Sequence, residues 1–195
     1  MIYLIRHGQT VHNAEGRFQG GLDSPLTELG RAQARAVGKT LAGLVGPETP
    51  IVSSPLGRAR QTAEIVRATV GLTAPIQLDA RLAEITVGEW DGLTQAEIAA
   101  AYPDYKAGRT DWDWHFHAPG GESYAAFRTR LSAWLDEALA TGLPIIAVSH
   151  GGCSRMLRGL AAGIEKDQFL KLSAPQDAIF RLRRGEVEQI ACPGA

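Results

Sequence analysis

Three short apolar segments constrain the fold of this chain most strongly, because each is followed by small or polar residues and then by a helix pattern. They are residues 2–5, residues 50–55, which themselves end in small polar residues, and residues 144–149. The continuous apolar run of 144–149 is typical of a strand buried in a parallel sheet. Their alternation with helices indicates an α/β protein. The sequence therefore predicts a three-layer α/β/α sandwich with a mostly parallel sheet.

Capping residues and helical spacing mark the helices between these strands. Thr27 is expected to begin one helix, and Thr94 with Glu97 matches a capping box that opens another, which ends near Ala101. A longer helix is predicted from about Ser123. The apolar face of the first helix is expected to comprise Leu29, Ala32, Ala36, Leu41 and Leu44.

The 195 residues are expected to fold as a single domain, 1–195. The last two predicted strands, 178–183 and 186–191, form an antiparallel hairpin, which makes the sheet mixed. Residues 102–121 show no clear period and make a long loop for a compact domain. We therefore expect segment 93–121 to act as a lid or as a substrate-specificity insertion.

Charge and composition argue against several classes of partner. Twenty Lys and Arg residues stand against 21 Asp and Glu residues, for a formal net charge of −1, so nothing favours nucleic acid or an acidic membrane. No apolar run approaches the ~20 residues of a membrane span, and the segment before Arg6 is too short for a signal peptide. The two cysteines, Cys153 and Cys192, are too few for a disulfide scaffold. We expect a cytoplasmic protein without metal or cofactor.

The ends of the predicted strands carry the candidate functional residues. Arg6 and His7 follow the first strand, and His150 follows the third. Arg58 begins the helix after the second strand, where free backbone N–H groups favour anions. Parallel strands bring such ends to one edge of the sheet. Since guanidinium donors suit phosphate oxygens, this edge is predicted to bind a phosphoryl group.

An ordered set of motifs covers most of the chain. The motifs are Leu-Ile-Arg-His-Gly-Gln-Thr at 4–10, Asn13, Gly-Arg-Phe-Gln-Gly at 16–20, Asp-Ser-Pro-Leu-Thr at 23–27, Ser-Ser-Pro-Leu-Gly-Arg-Ala-Arg-Gln-Thr-Ala at 53–63, Leu-Ala-Glu at 82–84, Gly-Glu-Trp-Asp-Gly at 88–92, Pro-Gly-Gly-Glu-Ser at 119–123 and Val-Ser-His-Gly-Gly at 148–152. In this order they resemble the histidine phosphatase superfamily, also called the phosphoglycerate mutase-like family. The resemblance implies that family's fold and a phosphohistidine mechanism on a small phosphorylated substrate.

The resemblance also implies a role for each matching residue. His7 is expected to be the nucleophile, a task that suits a neutral imidazole. Arg6, Arg58 and His150 are expected to stabilise the phosphoryl charge, with His150 protonated. Glu84 is expected to be the general acid that protonates the leaving oxygen and then activates water.

Further residues of the motifs are assigned more loosely. Glu89 is the alternative acid, but Glu84 follows two apolar residues as the family motif does. Arg60 is expected to be a solvated charge. Secondary phosphate or substrate contacts are expected from Asn13, Gln19, Gly20 and Gly151.

The family contains phosphatases and cofactor-dependent phosphoglycerate mutases. Segment 93–121 holds only Lys106 and Arg109 as fixed cations, which suits a bisphosphate poorly. We therefore expect a phosphomonoester hydrolase; the alternatives are a mutase-type phosphotransferase and a non-catalytic phospho-ligand binder. A pure binder would need neither the nucleophile nor the acid. The candidate substrates are sugar phosphates, phosphoglycerates, nucleotide-derived phosphates and an α-ribazole phosphate.

One stretch raises the alternative of a metal site. His115 and His117, with Asp111 and Asp113, have residue types that bind divalent transition metals. A solvated aromatic loop is the favoured interpretation of this stretch. The sequence does not specify the oligomeric state or the physiological substrate.

Overall fold

Strands and helices alternate along the chain in the computed structural model, which describes residues 1–194. Three short 3-10 helices lie between the third strand and the fifth helix, at Ala80–Leu82, Gly88–Trp90 and Trp114–His117. The strands and α-helices are β1 (Ile2–Arg6), α1 (Val11–Ala14), α2 (Glu28–Ala42), β2 (Ile51–Ser53), α3 (Gly57–Val70), β3 (Ile76–Leu78), α4 (Gln95–Ala101), α5 (Tyr124–Ala140), β4 (Ile145–Ser149), α6 (Gly151–Ala162), α7 (Lys166–Phe169), β5 (Ala178–Arg183) and β6 (Glu186–Ala191).

The strands form one mixed six-stranded sheet in the order β3-β2-β4-β1-β5-β6. β3, β2, β4 and β1 run parallel to one another. β5 runs antiparallel to β1 and pairs with β6 in the predicted C-terminal hairpin. The predicted α/β fold with a mostly parallel sheet is therefore confirmed.

Helices cover both faces of the sheet, because the side chains of a strand alternate between its two faces. Tyr3 and Ile5 of β1 pack into a core with α2 and α3. Ile2 and Leu4 pack into a second core with α5, α6 and α7. A third, smaller cluster lies under the connection between β3 and α5 and centres on Trp90 and Trp114.

The register of the parallel strands brings their carboxyl ends together. Arg6 of β1 pairs with Ser149 of β4, and Ser53 of β2 pairs with Val148 of β4. The residues that follow these ends, His7 and His150 among them, therefore lie at one edge of the sheet. This is where open α/β sheets place their ligands.

The apolar face predicted for α2 is wrong at two positions. Leu29 is 45% exposed, and Leu44, which is 37% exposed, lies beyond the end of α2 at Ala42. The buried face instead includes glycines, and a Cβ on Gly38 would lie 2.6 Å from the Cβ of Thr69 in α3. Helical spacing of large apolar residues cannot reveal a face that is built from small ones. The two four-residue helices, α1 and α7, were likewise too short to give a periodic signal.

Other predicted helix boundaries are confirmed. Thr27 caps α2 by accepting a hydrogen bond from Gly30 N at 3.0 Å, and the capping box of Thr94 and Glu97 opens α4. Ser123 caps α5. Within residues 1–194, no helix combines the length and the apolar character that crossing a membrane requires.

A close approach of two backbones anchors the loop that carries His7. A Cβ on Gly30 would lie 2.0 Å from Gln9 O. We predict that Gly30→Ala lowers the free energy of unfolding by about 2 kcal/mol, because one of two packed backbone segments must move to relieve the clash. Chemical denaturation measures the change. Gly43→Ala is the control, since its nearest contact, Thr40 O, is 3.7 Å away; equal losses in the two variants would contradict the account.

Candidate active site

A cavity of about 300 Å³ opens at the carboxyl edge of the sheet. His150 is fully buried, and its ring centroid lies 5.2 Å from that of His7. The other eight residues predicted for the site all line the cavity: Arg6, His7, Asn13, Gln19, Gly20, Arg58, Glu84 and Gly151. The structure thus brings the predicted set together in one place.

The hydrogen bond of His7 to its own loop sets the proton position on the imidazole. Nδ1 lies 2.8 Å from Gly8 O. A carbonyl only accepts, so Nδ1 carries the hydrogen and the Nε2 of the neutral ring keeps a free lone pair. Burial, and next the charges of Arg6 and Arg58, hold the pKa of His7 well below its usual 6.5. His7 therefore stays neutral at physiological pH.

His150 has one nitrogen bound and one without a partner. Its Nε2 lies 2.8 Å from Ser54 Oγ, while its buried Nδ1 has no hydrogen-bond partner in the described residues. Burial, and next the charge of Arg58, hold the pKa of His150 well below 6.5. The expectation of a protonated His150 finds no support in the protein without a bound anion, because burial and the charge of Arg58 both disfavour the imidazolium. When Ser54 Oγ donates its hydrogen to Nε2, the neutral ring carries its own hydrogen on Nδ1. That N–H can then donate to a ligand.

Arg58 is fixed in direction by a carboxylate and by two carbonyls. Its Nη1 donates to Leu22 O at 2.6 Å and to Asp23 Oδ1 at 3.0 Å, and its Nη2 donates to Gly20 O at 2.9 Å. Asp23 also accepts from the backbone N–H of Gly57 and of Arg58. The carboxylate of Asp23 thus occupies the N-terminus of α3. The anion that these N–H groups bind is therefore a side chain of the protein itself.

Glu84 is held by backbone donors on both of its oxygens. Oε2 accepts from Gly152 N at 2.9 Å, and Oε1 accepts from Ile85 N at 3.0 Å. A Cβ on Gly152 would lie 2.6 Å from Oε1, so a glycine makes this approach possible. Glu89 is exposed, lies outside the cavity wall and accepts from Tyr102 Oη at 2.6 Å. Of the two candidate acids, only Glu84 therefore faces the cavity.

The segment 172–176 supports the cavity from the C-terminal side, which sequence reasoning did not predict. Arg6 donates through Nη1 to Ala174 O at 2.5 Å, and Arg155 donates through Nε to Leu172 O at 2.6 Å. Arg158 donates to Ser173 O. Burial lowers the pKa of Arg6 to about 10, which still leaves it charged. Carbonyl groups thus orient these cations without neutralising them.

Gln176 links the nucleophile loop to Asn13. Its Nε2 donates to His7 O at 3.1 Å and to Asn13 Oδ1 at 3.0 Å. Asn13 Oδ1 also accepts from Thr10 N at 3.2 Å. Since both contacts engage the oxygen, the amide nitrogen of Asn13 is left for the cavity. Gln176 lies in a loop without a recognised motif, so no sequence signal pointed to it.

Several residues that line the cavity were not predicted. Arg155 lies four residues after Gly151 on α6, so helical spacing would have placed it on the same face. His115 comes from the 3-10 helix Trp114–His117, where only its residue type gave a hint. The rest of this group comprises Gly16, Arg17, Phe18, Ile85, Val87 and Gly152.

The metal alternative finds no support in the geometry. His115 lines the cavity, whereas His117 is exposed and lies outside its wall. Asp113 accepts from Thr110 and from Lys166 Nζ at 3.2 Å. Among residues 1–194, no three His, Cys, Asp or Glu side chains are grouped in a way that suits a metal ion. Trp114 and Phe116 are buried, so part of the predicted solvated loop is packed.

The buried histidines make stability depend on pH. The pKa values of His7 and His150 are lower in the fold than the 6.5 of an unfolded chain, so below pH 6.5 the unfolded state binds more protons. We predict that the free energy of unfolding falls with decreasing pH, by up to about 1.4 kcal/mol per pH unit for each histidine. Denaturation of wild type and His150→Asn between about pH 7 and 5 measures this; identical slopes would contradict it.

A substitution that keeps the size of the Gln176 side chain tests the bridge between His7 O and Asn13. Gln176→Leu leaves His7 O and Asn13 Oδ1 without this donor, and we predict about a tenfold lower kcat/KM for p-nitrophenyl phosphate. Gln168→Leu, at an exposed position outside the cavity, is the control. An unchanged kcat/KM in Gln176→Leu would show that the bridge is dispensable.

Nearly the whole chain is similar to known proteins. The model of the histidine phosphatase superfamily (branch 1) matches residues 2–190. A glucosyl-3-phosphoglycerate phosphatase of Mycolicibacterium vanbaalenii is 34% identical over 206 residues, which cover 100% of this chain and 88% of that protein. A probable phosphoglycerate mutase, GpmB, of Salmonella paratyphi C is 35% identical over 196 residues, which cover 97% of this chain and 83% of that protein.

A solved structure has the same fold. YhfR of Bacillus stearothermophilus superposes with a TM-score of 0.81 at 32% identity, covering 99% of this chain and 96% of that one. The resemblance inferred from the motifs is therefore confirmed along the chain. It follows that the chain belongs to the histidine phosphatase superfamily, branch 1, as a histidine-type phosphatase.

Proposed function

We propose that this protein hydrolyses a phosphomonoester of a small metabolite through a phosphohistidine formed at His7. Three buried donors near His7 that have no hydrogen-bond partner within residues 1–194 carry the proposal: Arg6 Nε, Arg58 Nε and His150 Nδ1. Buried donors without partners are costly. A phosphoryl group offers three acceptor oxygens, so a bound substrate satisfies all three donors and places its phosphorus before His7.

In the first step, His7 Nε2 attacks the phosphorus and the bond from phosphorus to the leaving oxygen breaks. The protonated carboxyl of Glu84 gives its proton to that oxygen. Arg6 and Arg58 stabilise the charge on the equatorial oxygens, which is the main protein contribution to phosphoryl transfer. The proton on His7 Nδ1 stays bound to Gly8 O, so the phosphorylated ring becomes a cation that is a good leaving group.

In the second step, water attacks the phosphohistidine. The carboxylate of Glu84 accepts a proton from this water, the bond from phosphorus to Nε2 breaks, and inorganic phosphate leaves. His7 and Glu84 then both return to their starting protonation states. A dianionic substrate also counters the charges of Arg58 and Arg6, which add to burial in lowering the pKa of His150.

We also propose that segment 93–121 belongs to the single domain and forms one rim of the cavity. Trp114 packs against Trp90 at 5.4 Å between ring centroids, and the adjacent His115 reaches the cavity wall. This packing supports a substrate-facing role for the segment. A small metabolite fits a cavity of about 300 Å³.

The similarity to a probable phosphoglycerate mutase makes mutase activity the second candidate. Its test is phosphoglycerate interconversion with and without 2,3-bisphosphoglycerate. The cations of segment 93–121 argue against it: Lys106 pairs with Asp111 at 2.9 Å, Arg109 donates to Tyr105 O at 2.6 Å, and neither lines the cavity. Hydrolysis is therefore the favoured outcome.

The role of His7 is tested by its removal. We expect the rate at which His7→Ala releases phosphate from p-nitrophenyl phosphate to be at least about 1,000-fold lower than that of wild type, because the nucleophile is gone. His117→Ala, an exposed histidine outside the cavity wall, is the control and should retain wild-type rates. EDTA is present throughout. Undiminished turnover by His7→Ala would refute the mechanism.

A further inference from the structure

The carboxylate of Asp91 has no part in the mechanism above and does not line the catalytic cavity. It belongs to the motif Gly-Glu-Trp-Asp-Gly at 88–92, and the residue is half-buried. Every hydrogen bond that this carboxylate accepts in the described part of the chain comes from a neutral donor. A partly buried charge is costly unless hydrogen bonds hold it, so the use of these bonds needs an explanation.

Asp91 joins two loops that both contribute to the cavity wall. On the first loop, its Oδ2 accepts from Gly21 N at 3.2 Å. On the second loop, Oδ2 accepts from Thr86 Oγ1 at 3.0 Å and Oδ1 accepts from Val87 N at 3.2 Å. One carboxylate thus connects two loops that are distant in the sequence.

The first loop, residues 19–22, carries acceptors for Arg58. Gly20 O accepts from Nη2 of Arg58 at 2.9 Å, and Leu22 O accepts from Nη1 at 2.6 Å. Gly20 has a φ of +45°, and a Cβ on it would lie 1.9 Å from Asp91 Oδ1. The carboxylate of Asp91 therefore occupies the space that a side chain at position 20 would need, and the loop packs directly on it.

The second loop, residues 84–88, begins with the general acid. Glu84 Oε1 accepts from Ile85 N at 3.0 Å, which lies within this loop. Oε2 accepts from Gly152 N at 2.9 Å, which lies outside it. One of the two backbone anchors of the acid therefore moves whenever the loop moves.

We propose that Asp91 is a positioning residue that sets the distance between the Glu84 carboxyl and the phosphoryl group held by Arg58. This inference rests on the proposed phosphatase function and deepens it, because Glu84 must reach the leaving oxygen while Arg58 holds the equatorial oxygens. Proton transfer requires hydrogen-bond distance in the transition state, and a misplacement of about 1 Å costs much of the rate. Asp91 acts through the two loops and not on the substrate.

Asp91→Asn tests this role, because it keeps the size of the side chain and removes one acceptor oxygen. If the amide nitrogen takes the place of Oδ2, Gly21 N loses its acceptor. If it takes the place of Oδ1, Val87 N loses its acceptor. Either orientation therefore breaks a backbone bond to one of the two loops and loosens the connection between them.

The measurement compares p-nitrophenyl phosphate with phenyl phosphate, which share a ring and differ in the basicity of the leaving oxygen. kcat/KM reports the steps up to departure of the leaving group, in which Glu84 is the acid. Phenolate is the more basic leaving group, so misplacement of Glu84 slows phenyl phosphate more. We expect Asp91→Asn to raise the ratio of kcat/KM for p-nitrophenyl phosphate to kcat/KM for phenyl phosphate about fivefold.

Three further variants assign this change to Glu84. Glu84→Gln should raise the same ratio, and in that background Asp91→Asn should leave the ratio unchanged within about twofold. Thr86→Val removes a donor to Asp91 at a position outside the cavity wall, and it should raise the ratio as Asp91→Asn does. Asp136→Asn is the matched control, because this carboxylate pairs with Arg184 and lies outside the catalytic cavity; it should keep the wild-type ratio.

The outcomes separate the positioning role from the mechanism. If Asp91→Asn changes neither kcat/KM value, or lowers both by the same factor, the positioning role is refuted and the phosphatase function stands. If the ratio rises equally with and without Glu84, Asp91 acts independently of the acid and the proposal also fails. If Asp91→Asn does not fold, Thr86→Val decides by the same ratio. If the wild type hydrolyses neither ester, the function and the positioning role fail together.

Discussion

The burial of cations around a neutral imidazole is the constraint on which the rest of this structure depends. Arg6 and Arg58 stand beside His7 at the carboxyl edge of the sheet, and burial together with their charges depresses the pKa of His7. Such a site is stable only if hydrogen-bond acceptors of the protein hold each guanidinium in place. The carbonyl of Ala174 holds Arg6, and Asp23 with two carbonyls holds Arg58.

This arrangement links the fold to the chemistry. The parallel register of β1, β2 and β4 brings the strand ends together, and close glycine contacts let the loops approach. Within residues 1–194, the Nε atoms of Arg6 and Arg58 and the Nδ1 atom of His150 are buried without a hydrogen-bond partner. A group with several acceptor oxygens is the ligand that satisfies them, which is why a phosphoryl group follows from the geometry.

Much of the fold could be predicted from the sequence, because buried parallel strands and capped helices leave local signals. The C-terminal hairpin at residues 178–183 and 186–191 matched its prediction residue by residue. The face of α2 could not be predicted as well, since packing against α3 depends on the absence of side chains. Leu29 was expected inside and lies outside.

The predicted site residues converge in the structure, but local sequence patterns could not predict the groups that hold them in place. Asp23 lies in a recognised motif, yet only the structure shows that it occupies the N-terminus of α3 and orients Arg58. Gln176 and the carbonyls of segment 172–176 reach the site from far along the chain. The lowered pKa of His150 also depends on its burial and on the charges of Arg58 and Arg6, which meet it only in the fold.

Phosphorylation at one particular nitrogen of His7 is the most direct test of the central claim. Because Nδ1 is bound to Gly8 O at 2.8 Å, only Nε2 is available to attack phosphorus. Rapid quenching at alkaline pH during turnover, followed by phosphorus and nitrogen NMR of the protein, identifies the modified atom. The account predicts phosphate on Nε2 of His7; phosphate on Nδ1, or on another residue, would contradict it.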